Sequence, residues 1–204
     1  MTNIAITQRL TSEYNGQEIR ESLDTMWYDF IKSCGFSLVP ISVKQNIPQF
    51  LQKMQISGIV FSGGNDLSAV NPEEVNKIRD AFEKELLKEA IKQNIPVIGV
   101  CRGMQLINDF FGGSLRQVTG HVATTHQISG NNLTRFVNSF HNYALNDIHG
   151  DFAVDFVADD GIVEAFHHKN KDVYAIMWHP EREKTFNHED IAMFQKIFDK
   201  EKTK

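Results

Sequence analysis

Apolar positions in the first half of the chain fall into two alternating rhythms. Unbroken apolar runs at residues 4–7, 37–41, 58–62 and 96–100 read as strands, and runs of this kind suit a parallel sheet covered on both faces. Between them apolar residues recur three and four apart. Ile19, Leu23, Met26, Trp27, Phe30, Ile31 and Cys34 define one such helix face, stopped at Gly35, and Pro40 marks a sheet edge or strand end. A second helix is predicted from near Pro72 to about Gln93. Asn71 is its cap, Glu73 and Glu74 match its dipole, and Ile78, Phe82, Leu86 and Ala90 face inward. A third helix carries Met104, Leu106, Ile107 and Phe110 and ends at Gly112-Gly113.

The second half has a different pattern. Residues 154–158, 162–166 and 173–177 are strand-like and separated by Asp159-Asp160-Gly161 and Lys169-Asn170-Lys171-Asp172, which predicts an antiparallel meander. Asn187 is placed to cap a last helix through Ile191, Phe194, Ile197 and Phe198, and the charged residues 199–204 are expected to fray. The order of elements predicts an α/β fold: a central, mostly parallel sheet flanked by helices, with a small antiparallel extension. A length of 204 residues suits a single domain, 1–204.

Composition narrows the partners. Net charge is −5 and no basic block stands out, which argues against nucleic acid. The longest apolar runs are too short to cross a membrane, and the N-terminus has no signal-peptide pattern. Two cysteines make no disulfide framework, so a reducing cytoplasm is the expected location. Cys34 lies on a predicted apolar face and reads as core.

Cys101 stands in a different setting. Gly99-Val100-Cys101-Arg102-Gly103 places a nucleophile-type residue between two glycines where a strand gives way to a helix. That is the pattern of a nucleophile elbow, and the helix N-terminus favours the thiolate there. A thiol hydrolase also needs an imidazole and a carboxylate to orient it. His179 follows a strand-like run, and Glu181 comes two residues later. In an extended segment that spacing points both side chains the same way. Negative charge developing on an attacked carbonyl needs backbone N–H donors, typically worth about 2.7–4 kcal/mol each. Arg102 supplies one as the residue after the nucleophile. Ser62-Gly63-Gly64-Asn65-Asp66 offers a second, although a plain strand-to-helix turn explains a Gly-Gly pair equally well. His121 and His126 have no carboxylate or cysteine at metal-ligand spacing, so that region reads as a substrate loop or surface. His167-His168 is an adjacent pair facing opposite sides of a strand.

SGGND, PVIGVCRGMQ, NSFHNYAL and WHPE, in that order, resemble the class I glutamine amidotransferase superfamily. Within it, GVCRGMQ and VNSFH resemble the γ-glutamyl hydrolase branch. Ile6-Thr7-Gln8-Arg9 and Arg20-Glu21-Ser22-Leu23-Asp24 resemble the subfamily acting on γ-glutamyl-CDP-amidate in capsule phosphoramidate synthesis. The resemblance implies a flavodoxin-like sheet, a catalytic triad of Cys101, His179 and Glu181, and an oxyanion hole at Gly64 and Arg102. It implies that Gly63, Asn65, Gln105, Ser139, Phe140 and His141 line the γ-glutamyl pocket. It further implies a small-molecule γ-glutamyl substrate, nucleotide-linked in the nearest subfamily, with no metal or cofactor and no obligatory protein partner. For a phosphate-bearing leaving group, Arg20, Arg116, His121 and Lys169 are candidate cationic donors, although solvated surface charge explains each one better when taken alone.

Overall fold

The apolar runs form the parallel half of one sheet in the computed structural model, which describes residues 2–199. β4 (Ser37–Pro40), β1 (Asn3–Ile6), β5 (Ile56–Phe61), β6 (Val97–Val100) and β13 (Val173–Ile176) lie side by side, every pair parallel. The sheet then continues antiparallel through β12 (Val163–His168), β11 (Phe152–Ala158), β8 (Val122–Gly130) and β9 (Leu133–Phe140), making nine strands among the described residues. The predicted meander therefore exists, and it extends the main sheet through the β13–β6 pairing. β4 is an edge strand, as Pro40 suggested.

Helices α1 (Met26–Ser33), α2 (Ile47–Lys53), α3 (Glu74–Gln93), α4 (Arg102–Phe110) and α5 (His188–Phe198) flank the sheet. Phe30 of α1 and Phe194 of α5 meet edge to face at 4.8 Å over the core. Asn187 caps α5 by accepting a hydrogen bond from the Glu189 amide at 2.8 Å. Asn71 does not cap α3, whose N-cap is Glu73. α2, absent from the sequence expectations, has its own signal: Asn46 accepts from the Gln49 amide ahead of Pro48.

The first helix does not start where the sequence suggested. The helix face drawn back to Ile19 is interrupted, because β2 (Arg9–Glu13) and β3 (Glu18–Ser22) form an antiparallel hairpin. Ile19 is 42% exposed, so its spacing to Leu23 was not a packing signal. The helix begins instead where Asp24 accepts a hydrogen bond from the Met26 amide. A second small sheet pairs β7 (Ser114–Gln117) with β10 (Tyr143–Asp147). The fraying expected of residues 199–204 falls on residues outside those described, apart from Asp199.

Candidate active site

Three neighbouring parallel strands end at one crevice. β5 leads into Ser62-Gly63-Gly64, β6 into Cys101, and β13 through Met177 and Trp178 into His179. Ligand sites in open parallel sheets collect at this C-terminal edge.

Cys101 has φ 53° and ψ −104°, a conformation that costs roughly 1–3 kcal/mol for a side-chain-bearing residue. Close packing on both sides maintains it. A Cβ at Gly103 would overlap the Phe61 carbonyl, and one at Gly99 would overlap the Gly103 backbone. The two glycines let strand and helix approach each other closely, which holds Cys101 at the turn.

His179 is 1% exposed and its backbone is held from both sides by Asn138. Its N–H donates to Asn138 Oδ1 at 2.9 Å, and its carbonyl accepts from Asn138 Nδ2 at 2.8 Å. Nδ1 lies 2.7 Å from Glu181 Oε1. The contact does not come from an extended segment as the sequence suggested. Pro180–Arg182 form a single 3₁₀ turn, which swings Glu181 back under the ring. With Nδ1 donating to Glu181, Nε2 is the nitrogen left to pair with Cys101, on the edge beside Gly63. A Cβ at Gly63 would lie 2.7 Å from His179 Cε1, 3.5 Å from Nε2 and 3.6 Å from Cys101 Cβ, so only glycine fits between them. Burial alone would lower the imidazole pKa. The Cys101 sulfur and the Glu181 carboxylate outweigh it and raise the pKa to about 9.

Beneath the Gly63-Gly64 turn is a buried ionic cluster. The Arg79 guanidinium donates to the carbonyls of Ser62 (2.8 Å), Gly63 (3.2 Å) and Gly64 (2.5 Å). It also pairs with Glu83 at 2.8 Å, and Arg102 pairs with Glu83 and Asp80. Burial pushes the Glu83 carboxyl up, and the charges of Arg102 and Arg79 more than reverse it. Drawing three successive carbonyls to one guanidinium fixes how this turn presents its amides.

Two cavities meet at His179. One, of about 360 Å³, is lined by Cys101, Gln105, Asn76, Phe140, His141 and Tyr143. The other, of about 310 Å³, is lined by Ser22, Asp24, Trp27, Ser62, Gly63 and Glu181. Arg9, Gly64, His179 and Arg182 border both. Phe140 packs between His179 (5.8 Å, edge to face) and the Arg182 guanidinium (4.6 Å).

Most of the residues singled out from the sequence converge here. Gln105 is buried, donates to the Tyr143 carbonyl at 2.9 Å and lines the first cavity. Asn65 lines it too and also pins the hairpin, accepting from the Leu10 amide and donating to the Leu10 carbonyl. Ser139 sits behind the wall, its hydroxyl donating to the His121 carbonyl at 2.8 Å. The proposed phosphate donors do not gather at the site. Lys169 lines a separate cavity beyond the opposite end of β6 and β13, His121 is buried against Asp160, and Arg20 pairs with Glu18 on the exposed hairpin. Arg116, on β7, borders neither cavity. Arg9, Arg182 and Asn76, whose buried Oδ1 has no hydrogen-bond partner, were missed. Arg9 sits in the quoted ITQR segment and Arg182 directly follows the WHPE motif.

A mixed sheet whose parallel half carries a strained cysteine elbow opposite an imidazole–carboxylate pair is the architecture of glutamine amidotransferase domains. The chain belongs to that family: the model for glutamine amidotransferase class-I matches residues 16–200. Gamma-glutamyl-CDP-amidate hydrolase of Campylobacter jejuni is 34% identical, over 92% of this chain and 94% of its own. Protein NtpR of Enterococcus hirae is 30% identical over 91% of this chain and 92% of its own. Among solved structures, a glutamine amidotransferase from Thermotoga maritima superposes with a TM-score of 0.67 at 17% identity. That alignment covers 100% of this chain and 86% of the other and reflects a shared fold. No helix among the described residues is long and apolar enough to cross a membrane.

Proposed function

We propose that the protein hydrolyses a γ-glutamyl amide through a cysteinyl thioester. The observation that carries this is the position of His179: one ring nitrogen on Glu181, the other edge on Cys101, at the junction of two cavities. The Cys101 thiolate attacks the γ-carbonyl. Amides of Gly64 and Arg102 receive the charge that develops on oxygen. As the C–N bond breaks, the His179 imidazolium gives its proton to the departing nitrogen. The neutral imidazole then takes a proton from water, whose oxygen attacks the thioester. Glutamate leaves, and thiolate and imidazolium are restored. The glutamyl group occupies the cavity of Gln105 and Asn76, and the leaving group extends past His179 toward Arg9, Arg182 and Trp27.

The two arginines favour a leaving group that bears phosphate. Together with the relative from Campylobacter jejuni, this makes γ-glutamyl-CDP-amidate the substrate of choice. The products are glutamate and cytidine diphosphoramidate, a precursor for capsule phosphoramidate, and the protein works as a single cytoplasmic domain. The test compares glutamate release from γ-glutamyl-CDP-amidate, γ-glutamyl-γ-aminobutyrate and glutamine. The highest kcat/KM belongs to the nucleotide-linked amide, and Cys101→Ser abolishes turnover of all three. Preference for the γ-aminobutyrate amide removes the nucleotide assignment. Glutamine turnover that appears only with a separate synthase makes the chain an ammonia-supplying subunit.

A further inference from the structure

In and behind the wall of the first cavity lies a second group of ionisable side chains, none of which carries a step of the proposed reaction. His121 immediately precedes β8, His126 lies on β8, His141 joins β9 to β10, and Glu164 is on β12. No carboxylate stands near His121 and His126 at ligand spacing along the chain, and the fold supplies one from a distant strand. One ring nitrogen each of His121 and His141 and one Glu164 oxygen lie within 4.8 Å of one another. The His121 ring centroid is 4.9 Å from that of His126 and 4.7 Å from that of His141. His121, His141 and Glu164 are 5%, 3% and 0% exposed.

The hydrogen-bonding pattern leaves the centre of this group short of positive charge. His141 Nδ1 faces the Tyr143 carbonyl at 3.1 Å, which can only accept, so Nδ1 carries the proton. Nε2 then turns a lone pair toward Glu164 Oε1, 3.4 Å away, and both atoms are buried without a hydrogen-bond partner. On the other side, His121 Nε2 donates to Asp160 Oδ2 at 2.8 Å, leaving Nδ1 a buried lone pair with no partner. The second carboxylate oxygen, Glu164 Oε2, is unsatisfied as well, with His126 Nε2 at 3.3 Å. Lone pairs that face a carboxylate in a dry interior repel it, and a cation between them relieves the repulsion.

We propose that His121, His141 and Glu164, with His126 as the fourth ligand, bind a divalent transition-metal ion, zinc by preference. Imidazole nitrogens with one carboxylate select zinc-like metals over magnesium or calcium. The outer partners are those such sites use: a carbonyl behind His141 and a carboxylate behind His121, each holding its ring in the ligating tautomer. Zinc bonds of about 2.0–2.2 Å set tetrahedral ligands roughly 3.3–3.6 Å apart, so closing the site takes a shift of about 1 Å. The ion ties β12 to the loop that carries Phe140 and His141 into the active-site cavity, so its role is to fix that wall. No step at Cys101 passes through it.

The experiment uses the Cys101→Ser protein, which removes the competing thiolate, stripped with chelator and titrated with Co²⁺. One equivalent binds and gives visible d–d bands without a thiolate charge-transfer band, and Zn²⁺ displaces it. Asp160→Asn, altering a half-exposed side chain, weakens binding about 10–100-fold, and Glu164→Gln weakens it further. Substoichiometric binding in Cys101→Ser overturns the proposal and leaves a proton-linked network. So does affinity unchanged by both substitutions.

Discussion

At the scale of single residues, proton placement governs the active site. His179 is held protonated up to about pH 9, above the ordinary imidazole value. A raised imidazole contributes stability that is complete below its unfolded pKa and is lost as pH rises through the folded one. In the proposed reaction the same titration removes the proton given to the leaving nitrogen, so kcat/KM is expected to fall as pH passes about 9. Glu181→Gln removes one of the charges that raise it. The basic limb then moves to lower pH, and kcat drops by about 10²–10⁴-fold. A pH profile of both proteins checks this, and an unmoved limb would mean Glu181 does not orient the imidazole. The cysteine and histidine were legible because each sits in a short segment with its own local reason. Asn138, which holds His179 through two backbone hydrogen bonds, was not, since its partner is 41 residues away.

At the scale of elements, the buried ions under the β5 turn are where stability and chemistry coincide. Removing one partner of a buried pair strands the others, so Glu83→Gln is expected to cost about 3–5 kcal/mol. Urea denaturation reads it directly. The Glu83 contribution in the wild type is present above the ordinary carboxylate range and lost as pH falls through its depressed value. The parallel strands and their helices were readable because burial on both faces leaves unbroken apolar runs. The β2–β3 hairpin was not, because Ile19 and Leu23 imitate helical spacing while pairing depends on β2. The β8–β9 hairpin had a signal that was passed over. Asn131 and Asn132 both take positive φ (49° and 61°), the left-handed pair a two-residue turn requires. Glu164 could not be tied to the histidines before the topology placed β12 one strand away from β8, across β11.

At the scale of the whole molecule, two cavities meet at His179, and the proposed reaction assigns one to the glutamyl group and the other to what it is attached to. Arg9, at the base of the hairpin, borders both cavities. Arg9→Ala is expected to raise KM for the nucleotide-linked amide roughly 10–100-fold, the worth of a charged hydrogen bond, with little change for glutamine. Steady-state kinetics on the two substrates separate these effects, and equal losses on both would place Arg9 on the glutamyl side. The hairpin itself is an appendage: it pairs with no strand of the large sheet and is fastened to the turn after β5 by the Asn65 side chain. Under the proposed reaction, the hairpin thus adds Arg9 and Ser22 to the leaving-group side without supplying any of the groups that cleave the bond. A homologue with a longer, shorter or differently charged ribbon at this position would keep the same chemistry and accept another amine.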